Sequence, residues 1–224
     1  MIRFDNVRKR YAGGHEALKG ISFHLNPGEL AFLTGHSGAG KSTLLKLIAL
    51  LERPSSGSIL IENRNLGRIP NRQIPHHRRK IGFIFQTPTL LQDRDVFHNV
   101  ALPLLVAGYH PRDTARRVRA ALDQVGLLNK ETVRPITLSG GEQQRLGIAR
   151  AIVSKPPVIL ADEPTGNLDP ELSREIMDLF RRLNDVGVTM MIATHDLELI
   201  RSLPYRQIQI SQGRIINGET ALES

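Results

Sequence analysis

The 224-residue sequence contains no cysteine. That excludes a disulfide framework, zinc thiolate sites and a cysteine nucleophile. It also argues against a secreted disulfide scaffold, while leaving a reducing cytosol open. Long apolar runs are missing too: Pro, Gly or charge interrupts each of them well before the roughly 18 residues of a membrane-spanning helix. The opening segment MIRFDNVRKRYAGGHEALKG has no apolar core of signal-peptide length. The expectation is therefore a chain that neither crosses a membrane nor is exported by that route. There is no internal repeat, low-complexity tract or long linker. With 40% hydrophobic residues, the chain is expected to form a single domain over 1–224 with a substantial core.

Lys and Arg number 30 against 22 Asp and Glu, a formal net charge of +8. Basic residues gather at Arg8, Lys9 and Arg10, at Arg78, Arg79 and Lys80, and at Arg112, Arg116, Arg117 and Arg119. Such clusters suit an anionic membrane surface, nucleic acid, nucleotide phosphates or plain solvation, and charge alone selects none of these.

Short apolar runs at Leu30 to Thr34, Ile81 to Phe85, Val158 to Ala161 and Val188 to Ala193 have the pattern of buried strands. They alternate with helix-like segments, which predicts an α/β domain with a largely parallel sheet. Between about residues 93 and 155 the pattern turns helical. Asp113 to Val125 there shows apolar positions at helical spacing with basic residues between them. The polar tail from Asn217 to Ser224 has no periodicity and is expected to fray.

Residues 35–42 read GHSGAGKS, a G-x-x-x-x-G-K-[ST] match that follows the strand pattern LAFLT and precedes the helical TLLKLIALLE. Gly35, Gly38 and Gly40 free the backbone to converge N–H groups on phosphate oxygens at a helix N-terminus. Lys41 supplies a charge for the β- and γ-phosphates, and Ser42 a hydroxyl for Mg²⁺. A second strand pattern, VILADE, ends in two carboxylates, and a metal would account for the pairing. Asp162 is expected to hold Mg²⁺ through its water shell. Glu163 is expected to orient or deprotonate a water attacking the γ-phosphate. A third element, LSGGEQQR, opens the helical stretch GIARAIV with a serine and two glycines and is another candidate phosphate site. One nucleotide cradled by the first loop leaves little room for this second element of the same chain. Two chains facing each other, each capping the other's nucleotide, resolve the conflict.

These motifs make the sequence similar to the ATP-binding cassette (ABC) ATPases, in which LSGGEQQR is the signature. The resemblance covers nearly the whole chain. It implies a phosphate-loop NTPase fold, with a RecA-like core at about 1–90 and 156–216, an antiparallel β subdomain, and a helical subdomain at about 91–155. The ATP site it implies comprises Tyr11, stacking on adenine, and the loop Gly35, His36, Ser37, Gly38, Ala39, Gly40, Lys41, Ser42 and Thr43. Leu138, Ser139, Gly140, Gly141, Glu142 and Gln143 would address the opposite subunit's ATP, and Asp169 in GNLD would cross the dimer interface. Catalysis would rest on Glu163, His195 as γ-phosphate sensor, Lys41 and Gln86, and the metal on Ser42, Gln86 and Asp162. Chromosome-structure and repair motors share the signature, but they insert long coiled coils between the two phosphate elements, and translation-factor forms carry two cassettes.

Within the family, PGELAFLTGHSGAGKSTLLKLI is most similar to the bacterial cell-division branch. The alternative is an ATPase for lipoprotein release or macrolide efflux. The resemblance implies ATP and Mg²⁺, a homodimer with ATP bound, and an FtsX-like integral membrane partner together with other division proteins. Nucleic acid is disfavoured as a partner. The location it implies is peripheral, on the cytoplasmic face of the inner membrane. Gln86 to Val106 would receive the membrane partner's coupling helix, with its apolar residues as contact surface. Two features depart from the family pattern. Leu50 stands where glycine is usual, which puts the local turn in question. The run from His76 to Lys80 is unusually basic and is read as a membrane-facing or solvated loop, its adjacent histidines being poorly placed to share a metal.

Overall fold

The computed structural model describes residues 1–201 and 203–217. Strands β1 (Ile2–Arg10) and β2 (Glu16–Leu25) form an antiparallel pair. They are followed by β3 (Leu30–Thr34), α1 (Lys41–Ile48), β4 (Ser56–Ile61), β5 (Arg64–Asn65), α2 (Ile74–Arg79) and β6 (Ile81–Ile84). Three helices come next, α3 (Val96–Val106), α4 (Pro111–Gln124) and α5 (Gly140–Ile152). The chain then runs through β7 (Val158–Asp162), α6 (Pro170–Asp185), β8 (Thr189–Ala193), the short α7 (Leu197–Ile200), β9 (Arg206–Ser211) and β10 (Arg214–Asn217).

Two sheets result. One is antiparallel with strand order β2-β1-β4-β5, and the other has the order β10-β9-β3-β8-β7-β6 and is parallel except for its β10 edge. All five residues of β3, of β7 and of β8 are buried, because this sheet is covered on both faces. Alternation then sends Phe32, Ile159 and Ile192 into one core and Leu33, Leu160 and Met191 into the other. The first core joins the sheet to α3, α4, α5 and α6. The second joins it to α1 and the antiparallel sheet, where Phe4 and Phe23 stack at 4.6 Å. Each fully buried Leu, Ile or Phe contributes about 1.5–3 kcal/mol relative to exposure. Helix α1 is thus clamped along its length, with Leu44, Leu45, Leu47 and Ile48 fully buried.

The helices follow local rules. α6 starts at Asp169, whose carboxylate accepts from the Glu171 and Leu172 amides, with Pro170 at its first position and Ile176, Met177 and Phe180 buried along one face. α4 begins at Pro111 and buries Thr114, Val118, Ala121 and Leu122, leaving Arg112, Arg116 and Arg119 exposed and Arg117 half-buried over the Tyr109 ring. The strands predicted from sequence appear within a residue of the expected ends, but Gln86 lies beyond β6 instead of closing it. His76 to Lys80 is not a loop: it lies almost entirely within α2, with Lys80 as the C-cap. Asn217 ends β10 and so belongs to a strand, while the remainder of the tail expected to fray lies outside the described residues.

Candidate functional site

The parallel strands point their C-terminal ends to one edge, and the loops leaving β3, β7 and β8 meet there. This is where open α/β sheets place their ligands. They form a cleft of about 470 Å³ lined by Tyr11, residues 36–43, Gln86, Asp162, Glu163 and His195. The loop leaving β3 turns at Gly35 with φ +143°, where a Cβ would lie 2.2 Å from the Ile210 carbonyl oxygen. Gly40 takes φ +114° as N-cap of α1, and a Cβ there would sit 2.7 Å from the carbonyl oxygen of Ala17. Only glycine fits either position, so the loop's shape is fixed by β9 and by the β1–β2 hairpin as well as by its own sequence. Ala17 and His15 line the cleft as well. Local motifs missed both, because the hairpin meets the loop only through long-range packing.

Lys41 is buried, and its ammonium donates to the carbonyl oxygens of Gly35 at 2.6 Å and His36 at 3.3 Å. It also lies 3.7 Å from Glu163 Oε1. The other Glu163 oxygen accepts from the His195 amide at 3.3 Å and is 2.9 Å from His195 Nδ1. Glu163 is 8% exposed and takes φ +49°. A non-glycine residue pays roughly 1–3 kcal/mol for such a conformation, a strain characteristic of sites where a side chain must be aimed. The Glu163 amide donates to the Ala193 carbonyl at 2.9 Å and anchors that turn to the end of β8. The His195 side chain is 67% exposed and borders the open side of the cleft.

Asp162, at the end of β7, is 7% exposed, and its Oδ1 is buried with no hydrogen-bond partner. Burial raises its carboxyl above the usual carboxylate range, against the opposing effect of the Ser42 hydroxyl, and the charge of Glu163 adds to the rise. An orphaned carboxylate oxygen beside a hydroxyl suits a hard cation with few protein ligands. Among the described residues no group of three or more His, Cys, Asp or Glu side chains could hold a metal. Tyr11 lies on the rim, its hydroxyl 3.3 Å from Thr43 Oγ1 and its ring 4.9 Å below the Lys9 ammonium.

Leu138 to Gln143 and Asp169 stay outside this cleft. Ser139 caps α5 in a capping box: its Oγ accepts from the Glu142 amide, and Glu142 accepts from the Ser139 amide. Lys130 pairs with Glu142 and, as the leading cause, holds its carboxyl below the usual range. Gln143 donates to the Pro135 and Leu138 carbonyls. Ser139 and Gly140 are exposed, and Gly141 is half-buried against Leu168. Gln144, buried on the same helix, donates to the Phe85 carbonyl and so ties α5 to the loop of Gln86, a link with no signal in the local sequence. Asp169 serves its own chain as the cap of α6.

A glycine-shaped loop between a buried strand and a helix N-terminus, with an ammonium facing a strained carboxylate, defines a phosphate-loop nucleotide-binding protein. The family profile described as ABC transporter matches residues 18–166, and the chain belongs to that family. It is similar to the cell division ATP-binding protein FtsE of Escherichia coli K12, with 58% identity over 97% of this chain and 98% of the relative. The FtsE of Bacillus subtilis is 46% identical over 98% and 96% of the two chains. A dimeric structure of the ATP-binding cassette MJ0796 in a post-hydrolysis state, bound to ADP and Pi, superposes with a TM-score of 0.92 at 35% identity over 98% of each chain.

Proposed function

We propose that this chain is the ATP-hydrolysing subunit of a cell-division ABC complex, working as a homodimer beneath an FtsX-like integral membrane partner on the cytoplasmic face of the membrane. The observation that carries the chemistry is the row of buried Lys41, buried Glu163 and exposed His195 beside the loop of residues 35–42. The similarity to FtsE proteins supports the cellular role, and the dimeric cassette supports the assembly.

In this reading, Tyr11 stacks on the adenine. The amides of the loop and the Lys41 ammonium bind the β- and γ-phosphates, so Lys41 exchanges the Gly35 and His36 carbonyls for phosphate oxygens. Glu163 accepts a proton from the attacking water as its oxygen bonds to the γ-phosphorus, and the bond to the ADP oxygen breaks. Lys41 stabilises the charge that develops, and His195 fixes the orientation of Glu163 and meets the γ-phosphate. Ser42, Asp162 and Gln86 would hold Mg²⁺, which when bound neutralises phosphate charge. Ser139 and the amides of Gly140 and Gly141 meet the γ-phosphate of the nucleotide on the second chain. Leu91, Leu102, Leu105 and Val106 are exposed near a cleft of about 560 Å³ that also contains Phe83 and Arg150, a surface for the partner's coupling helix.

The test is co-purification with the FtsX-like protein, followed by ATP turnover in the complex. Capture of that partner and release of ADP and phosphate are expected. Hydrolysis together with capture of a lipoprotein-release or efflux subunit instead would overturn the division role, and absence of ATP binding would overturn the whole reading.

A further inference from the structure

Two features singled out in the sequence, Leu50 and the basic run after Pro75, meet at the C-terminal end of α1. Leu50 follows that helix with φ +51° and is 3% exposed. This left-handed conformation normally calls for glycine, because an L side chain there crowds the following carbonyl. The turn is nevertheless made. Three successive carbonyls at this point accept from two side chains of α2. Ile48 bonds to His77 Nε2 at 2.8 Å, Ala49 to Arg78 Nε at 3.4 Å, and Leu50 to Arg78 Nη2 at 2.7 Å. Arg53 extends the attachment, donating to the carbonyls of Gly67 and Ile69 just before α2.

Burial holds the His77 imidazole below its ordinary value, in keeping with a neutral ring that donates through Nε2. The other end of α1 is Lys41 itself. An eight-residue helix whose Leu44, Leu45, Leu47 and Ile48 are fully buried in one core moves as a rod, so a shift of the turn at Leu50 is a shift of Lys41.

We infer that Arg78, seconded by His77, is a positioning residue for the phosphate loop. It holds the strained turn at Leu50, and through α1 it sets where Lys41 is presented, a task that glycine at position 50 would perform through backbone freedom alone. The inference rests on the ATP-binding reading of the site. It assigns a local task to a basic cluster that neither nucleotide nor partner contacts required.

The test is a double-mutant cycle on the full-length chain, read as the dissociation constant of a fluorescent ATP analogue with Mg²⁺, with folding checked by circular dichroism. Arg78→Met is expected to weaken binding by about tenfold, since the turn then relaxes and binding must restore the left-handed strain. Arg78→Lys, which can still reach one carbonyl, is expected to fall between. In the Leu50→Gly background the same Arg78→Met change is expected to cost less than about twofold, because glycine holds the turn unaided. Equal losses in the two backgrounds, or no loss beside Leu50, would overturn the inference. A chain that binds no nucleotide in any variant, wild type included, would instead overturn the ATP reading.

Discussion

The N-termini of α1 and α5 are both preceded by glycine or serine and both offer backbone amides, yet the chain finishes them differently. At α1 the N-cap is Gly40, which provides no side-chain cap. The nearest charges are the buried Lys41 and Glu163, and the surroundings include an aspartate oxygen with no partner. At α5 the helix is completed by its own residues, with Ser139 and Glu142 in a reciprocal box and Lys130 neutralising Glu142. The first end depends on what binds there: its polar groups are aimed, strained and incompletely satisfied. The second is capped within its own chain and leaves Ser139 and Gly140 exposed. Within one chain the two ends do not share a cleft, so the proposed site is divided between two chains. In the proposed function the strained half carries the chemistry, and the capped half offers its amides to the neighbour's phosphate.

Changes that remove the chemistry of the strained half should have the largest effect. Glu163→Gln is expected to lower the rate of ATP turnover by at least about 100-fold while nucleotide binding persists and the dimer accumulates, as followed by phosphate release and size-exclusion chromatography. Turnover near the wild-type rate would break the assignment of roles. A smaller but sharper effect is expected at the capped half. Ser139→Asp keeps a good N-cap, so the melting temperature should be nearly unchanged, but it sets a negative charge against the facing phosphate and should slow turnover by about tenfold or more. If stability and activity fell together, Ser139 would matter only as a cap.

The smallest effect concerns the attachment behind α1. The His77 ring is held below its ordinary 6.5 mainly by burial. The folded state thus binds fewer protons than the unfolded state once the pH drops below 6.5, and stability is lost as the pH falls through that window. In His77→Gln the decline in melting temperature on acidification below that value should be shallower than in wild type. Equal slopes would show that the ring is not held neutral.

The parts of the molecule that follow local rules were legible in the sequence. Leu30 to Thr34 is a strand to the residue, since five consecutive apolar positions followed by GHSGAGKS leave few alternatives. The ABC fold expected from the motifs is the fold found, with a TM-score of 0.92 to a solved cassette. The motifs and the family resemblance assign Ser42 and Asp162 to one metal, and Glu163 and His195 to the γ-phosphate, and each pair lies together in the fold. Features made by distant segments were not legible. The basic run at His76 reads as a solvated loop until α1 is seen beneath it, where two of its side chains, His77 and Arg78, find backbone carbonyls. Asn99 reads as an ordinary polar residue, yet it is fully buried, and its amide group holds Leu91, Arg94 and Asp95 in the loop ahead of α3. Leu50 looked like a fault in a turn because its support comes from a helix about 28 residues further on.

The division of the site between two chains is tested most directly by mixing two impaired variants, Lys41→Ala and Ser139→Asp, each carrying a different affinity tag, and measuring ATP turnover in the purified mixed dimer. One composite site in that dimer pairs an intact Lys41 with an intact Ser139 from the opposite chain, and the other site carries both lesions. The account predicts that the mixed dimer turns over ATP faster than either variant alone, through its one intact composite site. A mixed dimer no faster than the better of its parents would contradict it.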